Sequence, residues 1–166
     1  MRIGIISDTH RLWGRIEEAL RTMGKVDMIL HLGDNVSDAE DIRNILRDIP
    51  VVAVKGNCDS TDNLPEERTL LLEGRKIFMT HGHRYNVKYD FSDIYKRAKE
   101  VEADIALFGH SHLPIILRKS DIIFINPGST SMPKHGSSPS CAILTIEDNR
   151  IDARLLTVSK SIAMAE

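Results

Sequence analysis

The chain opens on an apolar run, MRIGIIS (1–7), in which Ile3, Ile5 and Ile6 follow no helical period. That pattern predicts a buried strand ending at Asp8. Residues 11–24 (RLWGRIEEALRTMG) then place Leu12, Trp13, Ile16, Ala19, Leu20 and Met23 at helical spacing, with Gly24 as the stop. VDMILHLGD (26–34) reads as a strand running into a Gly-Asp turn. VSDAEDIRNILRDI (36–49) predicts a second helix, with Ser37 as N-cap, Glu40 completing a capping box and Pro50 ending it. Asp8 and Asp34 each precede a predicted helix and are placed to double as N-caps. VVAVKGN (51–57) is a third buried strand. Strand and helix alternate through this first third, which predicts parallel strands in an α/β sheet.

The pattern then changes. Residues 68–83 (RTLLLEGRKIFMTHGH) predict a hairpin around Glu73 and Gly74, and residues 90–104 (DFSDIYKRAKEVEAD) predict a third helix. IALFGHSH (105–112) is another strand leading into polar residues. Residues 114–129 predict a hairpin turning near Ser120 and Asp121, and residues 140–158 a last one turning at Asp148 and Asn149. The Gly, Ser and Pro of residues 128–140 mark a surface loop. So many strands predict one domain over residues 1–166, with a mixed α/β arrangement of two packed sheets.

Composition narrows the class. Apolar residues are 42% and charged residues 28%, an ordinary globular profile. No run approaches the roughly 18–20 apolar residues of a membrane span. The first apolar stretch stops at Asp8, too short for a secretory signal, so the cytoplasm is the expected compartment. A net charge of -2 provides no global basic field and argues against nucleic acid as a partner. Cys58 and Cys141 lie far apart and form no CxxC, so reduced thiols are expected. The seven histidines carry more information, because most sit in short polar clusters.

Those clusters fall at the ends of predicted strands. The first strand ends in Asp8 and His10, the second in Asp34, the third in Asn57, and later ones in His81, His83, His110 and His112. Ligands collect at the carboxyl ends of strands in open α/β sheets. Residues one apart at a strand end point to the same side, so His110 and His112 are expected to share one cleft. Imidazoles, carboxylates and an amide with no thiolate favour Mn²⁺, Fe, Zn²⁺, Ni²⁺ or Mg²⁺. The donors exceed what one ion needs, and two ions sharing a carboxylate is the natural count.

The order DTH, GDN, GNCD, THGH, GHSH resembles the calcineurin-like metallophosphoesterase superfamily, whose pattern is D-x-H, G-D, G-N-H-[DE], G-H and G-H-x-H; the match spans residues 8–112. With NPGS (126–129), the chain is similar to the small bacterial and archaeal phosphodiesterases of YfcE/MJ0936 type. The resemblance implies a four-layer αββα sandwich of two mixed β-sheets flanked by helices. It implies an enzyme, a dinuclear metal-dependent phosphodiesterase that hydrolyses a small phosphate diester through in-line attack by a metal-bridging hydroxide. By matching position, Asp8, His10, Asp34 and His112 would hold one ion. Asp34, Asn57, His81 and His110 would hold the second, with Asp34 as bridge. Asp34, Asn57 and His81 would also count as catalytic. The implied cofactors are two divalent ions, Mn²⁺ ahead of Ni²⁺, Zn²⁺, Fe or Mg²⁺. The alternative is a non-catalytic protein-binding scaffold of the same fold, as in the retromer subunit.

One position departs from the superfamily pattern. The residue after the motif Asn is His there and Cys58 here. That leaves the general acid open between Cys58, His83 and none. Arg84, Lys88 and Lys134 are candidates for a phosphate-facing rim. Gly128 and Ser129 are candidates to present backbone N–H groups to a phosphate. The expected partner is a small-molecule phosphate ester; no membrane is implied, and homo-oligomerisation is left open.

Overall fold

The computed structural model describes residues 1–61 and 63–159. Strand β1 (Arg2–Ile6) is followed by α1 (Trp13–Met23), β2 (Met28–His31), α2 (Ser37–Ile45) and β3 (Val51–Ala53). β1 pairs parallel with β2, and β2 with β3, as the alternating pattern predicts. The second half supplies β4 (Glu67–Leu72), β5 (Arg75–Thr80), α3 (Ser92–Glu100), β6 (Ile105–Leu107), β7 (Pro114–Lys119), β8 (Ile122–Pro127), β9 (Ser140–Glu147) and β10 (Arg150–Thr157). Three antiparallel hairpins appear where turn residues predict them: β4–β5, β7–β8 and β9–β10. Their tips hold Glu73, Ser120, Asp148 and Asn149 at positive φ, as tight hairpin turns require.

The strands form two mixed five-stranded sheets, ordered β10-β9-β1-β2-β3 and β4-β5-β6-β8-β7. Alternation along each strand separates three apolar layers. Ile3, Ile5, Leu30, Ile77, Leu107 and Ile125 meet between the sheets. Ile6, Ile29 and Val51 point the other way, onto Ile16, Ala19 and Met23 of α1 and Ile42 of α2. Phe78, Ala106 and Phe124 pack against Ile94 and Ala98 of α3. The result is the four-layer αββα sandwich. The core strands β1, β2, β5, β6 and β8 are buried on both faces, which explains runs without alternation of polarity. No described helix is long and apolar enough to cross a membrane.

Several boundaries move inward from the sequence reading. α1 starts at Trp13, α2 stops at Ile45 and α3 covers only Ser92–Glu100. The expected capping box at Ser37 does not form. Val36 is the N-cap residue and no side chain of its own caps the helix. Its N–H donates instead to Asp59 Oδ1 at 2.9 Å, an acceptor brought from the loop after β3. Asp8 and Asp34 are not helix caps either, since Leu12 and Val36 hold those positions. Gly24 does close α1, with φ of 66°.

Candidate metal centre

Every strand bearing a predicted ligand stops short of it. β1 ends at Ile6, β2 at His31 and β6 at Leu107. The chain then turns through positive φ at Asp8, His10, Asp34, His110 and His112. A non-glycine residue in that region costs on the order of 1 kcal/mol, and such residues cluster where function holds them. His110 and His112 therefore converge through paired left-handed turns, not through the two-residue period of a strand.

Glycines beside these turns allow the close approach. A Cβ on Gly109 would overlap Ser7 Oγ and lie 2.8 Å from Asp8 Oδ2. One on Gly56 would overlap Asp34 Oδ1 and lie 2.6 Å from Asp34 N. The glycines of the GN and second GH motifs thus leave room for the two carboxylates.

Asp8, His10, Asp34 and His112 each offer a donor atom, and those atoms lie within 4.8 Å of one another. His81 Nε2 joins from the second sheet, 3.4 Å from Asp34 Oδ1 and 3.9 Å from Asp8 Oδ1. His110 Nδ1 stands 3.2 Å from His81 Nε2. The structure therefore brings together six of the residues the motifs single out. Asn57 is exposed on the loop after β3, its Nδ2 turned toward Cys58 Sγ at 3.5 Å.

The ring protons decide what this cluster is for. His81 Nδ1 lies 2.8 Å from Leu32 O, and His112 Nδ1 lies 2.6 Å from Met132 O. A carbonyl accepts only, so each Nδ1 carries a proton, and in the neutral ring Nε2 presents a lone pair. In that neutral form His112 Nε2 faces Asp8 Oδ1 at 3.1 Å, acceptor against acceptor, an opposition that a proton or a cation relieves. Asp8 Oδ1 and His10 Nε2 are buried without any hydrogen-bond partner. Unpaired buried acceptors on this scale cost several kcal/mol unless a cation or proton enters. Orienting a ligand imidazole through a carbonyl on its other nitrogen is a general device of metal sites. The donor set, its orphaned atoms and its fixed tautomers fit divalent cations.

Titration behaviour follows the same field. Burial opposes charging His81, but its contact with Asp34 and the charges of Asp8 and Asp34 raise its pKa above the ordinary value. Burial likewise opposes His112, and Asp8 overcomes it. Burial works against ionising Asp8 and Asp34 too. For Asp8, contact with His112 and the charges of His81 and His112 outweigh it; for Asp34, His81 and the Cys58 N–H do so, and both pKa values fall. His110 is pushed down to about 4 by burial, then by His81 and Lys88. Protons thus hold the places that the acceptor geometry would give to metal.

The remaining sequence candidates have these positions. Cys58 is exposed, and its N–H donates to Asp34 Oδ1 at 3.0 Å. Its thiol is pushed up to about 11 by partial burial and by Asp34. The His83 ring lies 5.6 Å from His81 and 6.2 Å from His110, with Nδ1 unpartnered. Arg84 is paired with Glu66. The Gly128 N–H is already given to Asn126 Oδ1 at 2.9 Å. Ser129 is fully buried, and its hydroxyl donates to Asp8 O at 2.7 Å.

Five positions went unread in the sequence. Asp59 accepts from the N–H groups of Asp34, Gly56 and Val36 at 2.8–2.9 Å, tying the second and third ligand loops together. Asn126 Nδ2 donates to Gly109 O and to Ser111 Oγ, each at 2.9 Å, and braces the loop of His110 and His112. Fully buried His31 sets its Nε2 3.1 Å from Thr9 Oγ1. Thr9 in turn donates to Asp38, which also takes the Arg11 N–H at 3.0 Å. These groups hold the DTH turn. The Thr of DTH, the Asp of GNCD and the Asn of NPGS lay inside recognised motifs and so could have been flagged, whereas His31 and Asp38 lay outside them.

The family model described as the calcineurin-like phosphoesterase superfamily domain matches residues 1–149. The chain belongs to that superfamily. It is 39% identical over 161 residues to the probable metallophosphoesterase YsnB of Bacillus subtilis, covering 93% of this chain and 89% of the relative. It is 28% identical over 146 residues to the phosphodiesterase MJ0936 of Methanocaldococcus jannaschii, covering 77% of this chain and 83% of that one. A solved structure from Streptococcus pneumoniae, described as a predicted phosphoesterase, superposes with TM-score 0.77 at 30% identity, covering 96% and 93% of the two chains. Within this calcineurin-like fold the metal-binding cluster sits where the carboxyl ends of β1, β2, β5 and β6 meet.

Proposed function

We propose that the chain is a single-domain, dinuclear metal-dependent phosphodiesterase acting on a small phosphate diester. The observation that carries this reading is the set of buried acceptors facing one another across Asp8, His112, His81 and Asp34. Asp8, His10, Asp34 and His112 would hold one ion. Asp34, His81 and His110, with Asn57 after a side-chain rotation, would hold the other. An all-N/O donor set suits Mn²⁺, and Ni²⁺, Zn²⁺, Fe or Mg²⁺ after it. When bound, such ions supply a water-derived nucleophile near neutral pH and offset charge on the phosphoryl oxygens.

The chain's own groups do the positioning. Leu32 O and Met132 O keep His81 and His112 turned with Nε2 inward. Ser7 Oγ and the His110 N–H fix Asp8 Oδ2 at 2.7 and 3.1 Å, leaving Oδ1 free. Cys58 remains a neutral thiol at pH 7 and adds no charge beside Asp34. His83 lies against the His81 and His110 rings with burial and the His81 charge lowering its pKa, so it is neutral at pH 7 and free to shuttle a proton.

Purified protein should hydrolyse bis(p-nitrophenyl) phosphate with added Mn²⁺ or Ni²⁺, and bind two equivalents of Mn²⁺ by calorimetry. EDTA or Asp34→Asn should abolish turnover. Full activity after either treatment refutes the mechanism, and one equivalent of metal refutes the dinuclear centre. Slower turnover of p-nitrophenyl phosphate than of the diester is expected, and the reverse order refutes the diester preference.

A further inference from the structure

A cavity of about 490 Å³ opens beside the metal-binding cluster. Its wall includes Ser111, the residue between His110 and His112, so the cavity and the cluster share one loop. Tyr89, Phe91, Leu113 and Ile115 give it an apolar, partly aromatic lining, and Lys88 and Lys134 stand at its margin. Among the described residues no carboxylate lines it. Tyr89 is 86% exposed and Leu113 38% exposed, so both can meet a ligand entering the cavity. Neither lysine has a carboxylate partner among the described residues.

We propose that this cavity binds a flat aromatic arm of the phosphate ester, with Lys88 and Lys134 favouring anionic ligands and rejecting cationic arms. The inference rests on the phosphoesterase reading of the neighbouring cluster. The size lies within the range of small-ligand pockets, and apolar walls with a few placed charges are their usual make-up. A phenyl-sized group moved from water onto such walls should gain about tenfold or more in affinity. An ammonium-bearing arm would face two lysines with no anion to receive it.

The test uses three phosphonates whose C–P bonds resist hydrolysis, titrated into Mn²⁺-supplemented protein by calorimetry. Phenylphosphonate should bind at least about tenfold more tightly than methylphosphonate, and 2-aminoethylphosphonate no more tightly than methylphosphonate. Tyr89→Ala and Leu113→Ser are surface changes that should bring phenylphosphonate down toward methylphosphonate, leaving the latter unchanged. Lys88→Ala with Lys134→Ala should weaken every phosphonate except the aminoethyl one, which should gain on the others. Equal affinities in the native chain, or a phenyl preference untouched by both apolar variants, overturn the inference. Hydrolysis of bis(p-nitrophenyl) phosphate is read on the same sample. Turnover without phenyl preference sinks the cavity assignment alone; phenyl preference without turnover sinks the phosphodiesterase reading alone.

Discussion

Replacing Gly109 by alanine tests whether the metal-binding cluster depends on the close approach of its loops. The new methyl would overlap Ser7 Oγ, lie 3.0 Å from Ser7 Cβ and 2.8 Å from Asp8 Oδ2. Ser7 and Asp8 are both fully buried, so neither can swing into solvent. Relief requires Ser7 to give up its 2.7 Å bond to Asp8 Oδ2, or the Gly109 loop to retreat and lengthen the 3.1 Å bond from His110 N. Overpacking a tight site costs about 1–3 kcal/mol, and a hydrogen bond to a charged group about 1.5–3 kcal/mol. These costs overlap, so a net loss of roughly 2–4 kcal/mol is expected. For a chain of this size that is a fall in Tm of roughly 5–15 °C. Calorimetric Mn²⁺ affinity should fall about tenfold or more, because Asp8 and His110 are displaced together. Gly14→Ala is the control. Nothing lies within 4 Å of its added methyl, and it sits in α1. It should be neutral or stabilise by up to about 1 kcal/mol. The reasoning is refuted if Gly109→Ala melts within about 1 °C of the native chain with unchanged Mn²⁺ affinity, or if both glycine variants lose stability alike.

Asp59→Ala strips the acceptor from three backbone N–H groups, at Asp34, Gly56 and Val36. Urea unfolding should show a loss of about 2–4 kcal/mol, and a change below about 0.5 kcal/mol would contradict the bracing role. His81 and His112 hold raised pKa values in the metal-free chain, so metal must displace protons from them at pH 7. Mn²⁺ affinity should therefore keep rising above pH 6.5, with net proton release visible by calorimetry in two buffers of different ionisation enthalpy; absence of release counts against the acceptor argument. The same histidines stabilise the metal-free fold below about pH 6.5, and that contribution is lost as pH rises through their raised values. The Cys58 thiol, raised to about 11, should react with iodoacetamide at pH 8 far more slowly than a free thiol, and a free-thiol rate would overturn its placement against Asp34.

Apolar runs and turn residues made the sandwich readable. Buried strands such as Ile105–Leu107 need nothing but apolar side chains, and turns such as Asp148-Asn149 announce themselves by residue type. The ligands were readable for a related reason, since His and Asp directly after an apolar run have few uses in a core. What escaped depends on partners distant in sequence. Asp59 holds backbone N–H groups 23 and 25 residues away, and a backbone N–H has no residue type to signal it. The same acceptor overrode the local capping pattern at Ser37. The shortened strands escaped because Asp8, His10 and His110 take a conformation that glycine usually marks. His31 looks like any strand residue until Thr9 and Asp38 are placed beside it.

The proton on each of two ligand imidazoles is placed by a peptide carbonyl, Leu32 O for His81 and Met132 O for His112. Every residue carries a main-chain carbonyl whatever its side chain, so no side-chain exchange at Leu32 or Met132 deletes the acceptor. The orientation of these rings is consequently shielded from most point substitutions and exposed to changes in loop length. A one-residue deletion between Ser129 and Met132 would turn a different peptide toward His112 while leaving every metal-ligand residue in the chain. A relative with all its motif histidines and a shortened loop could therefore carry a complete signature and a misdirected ring.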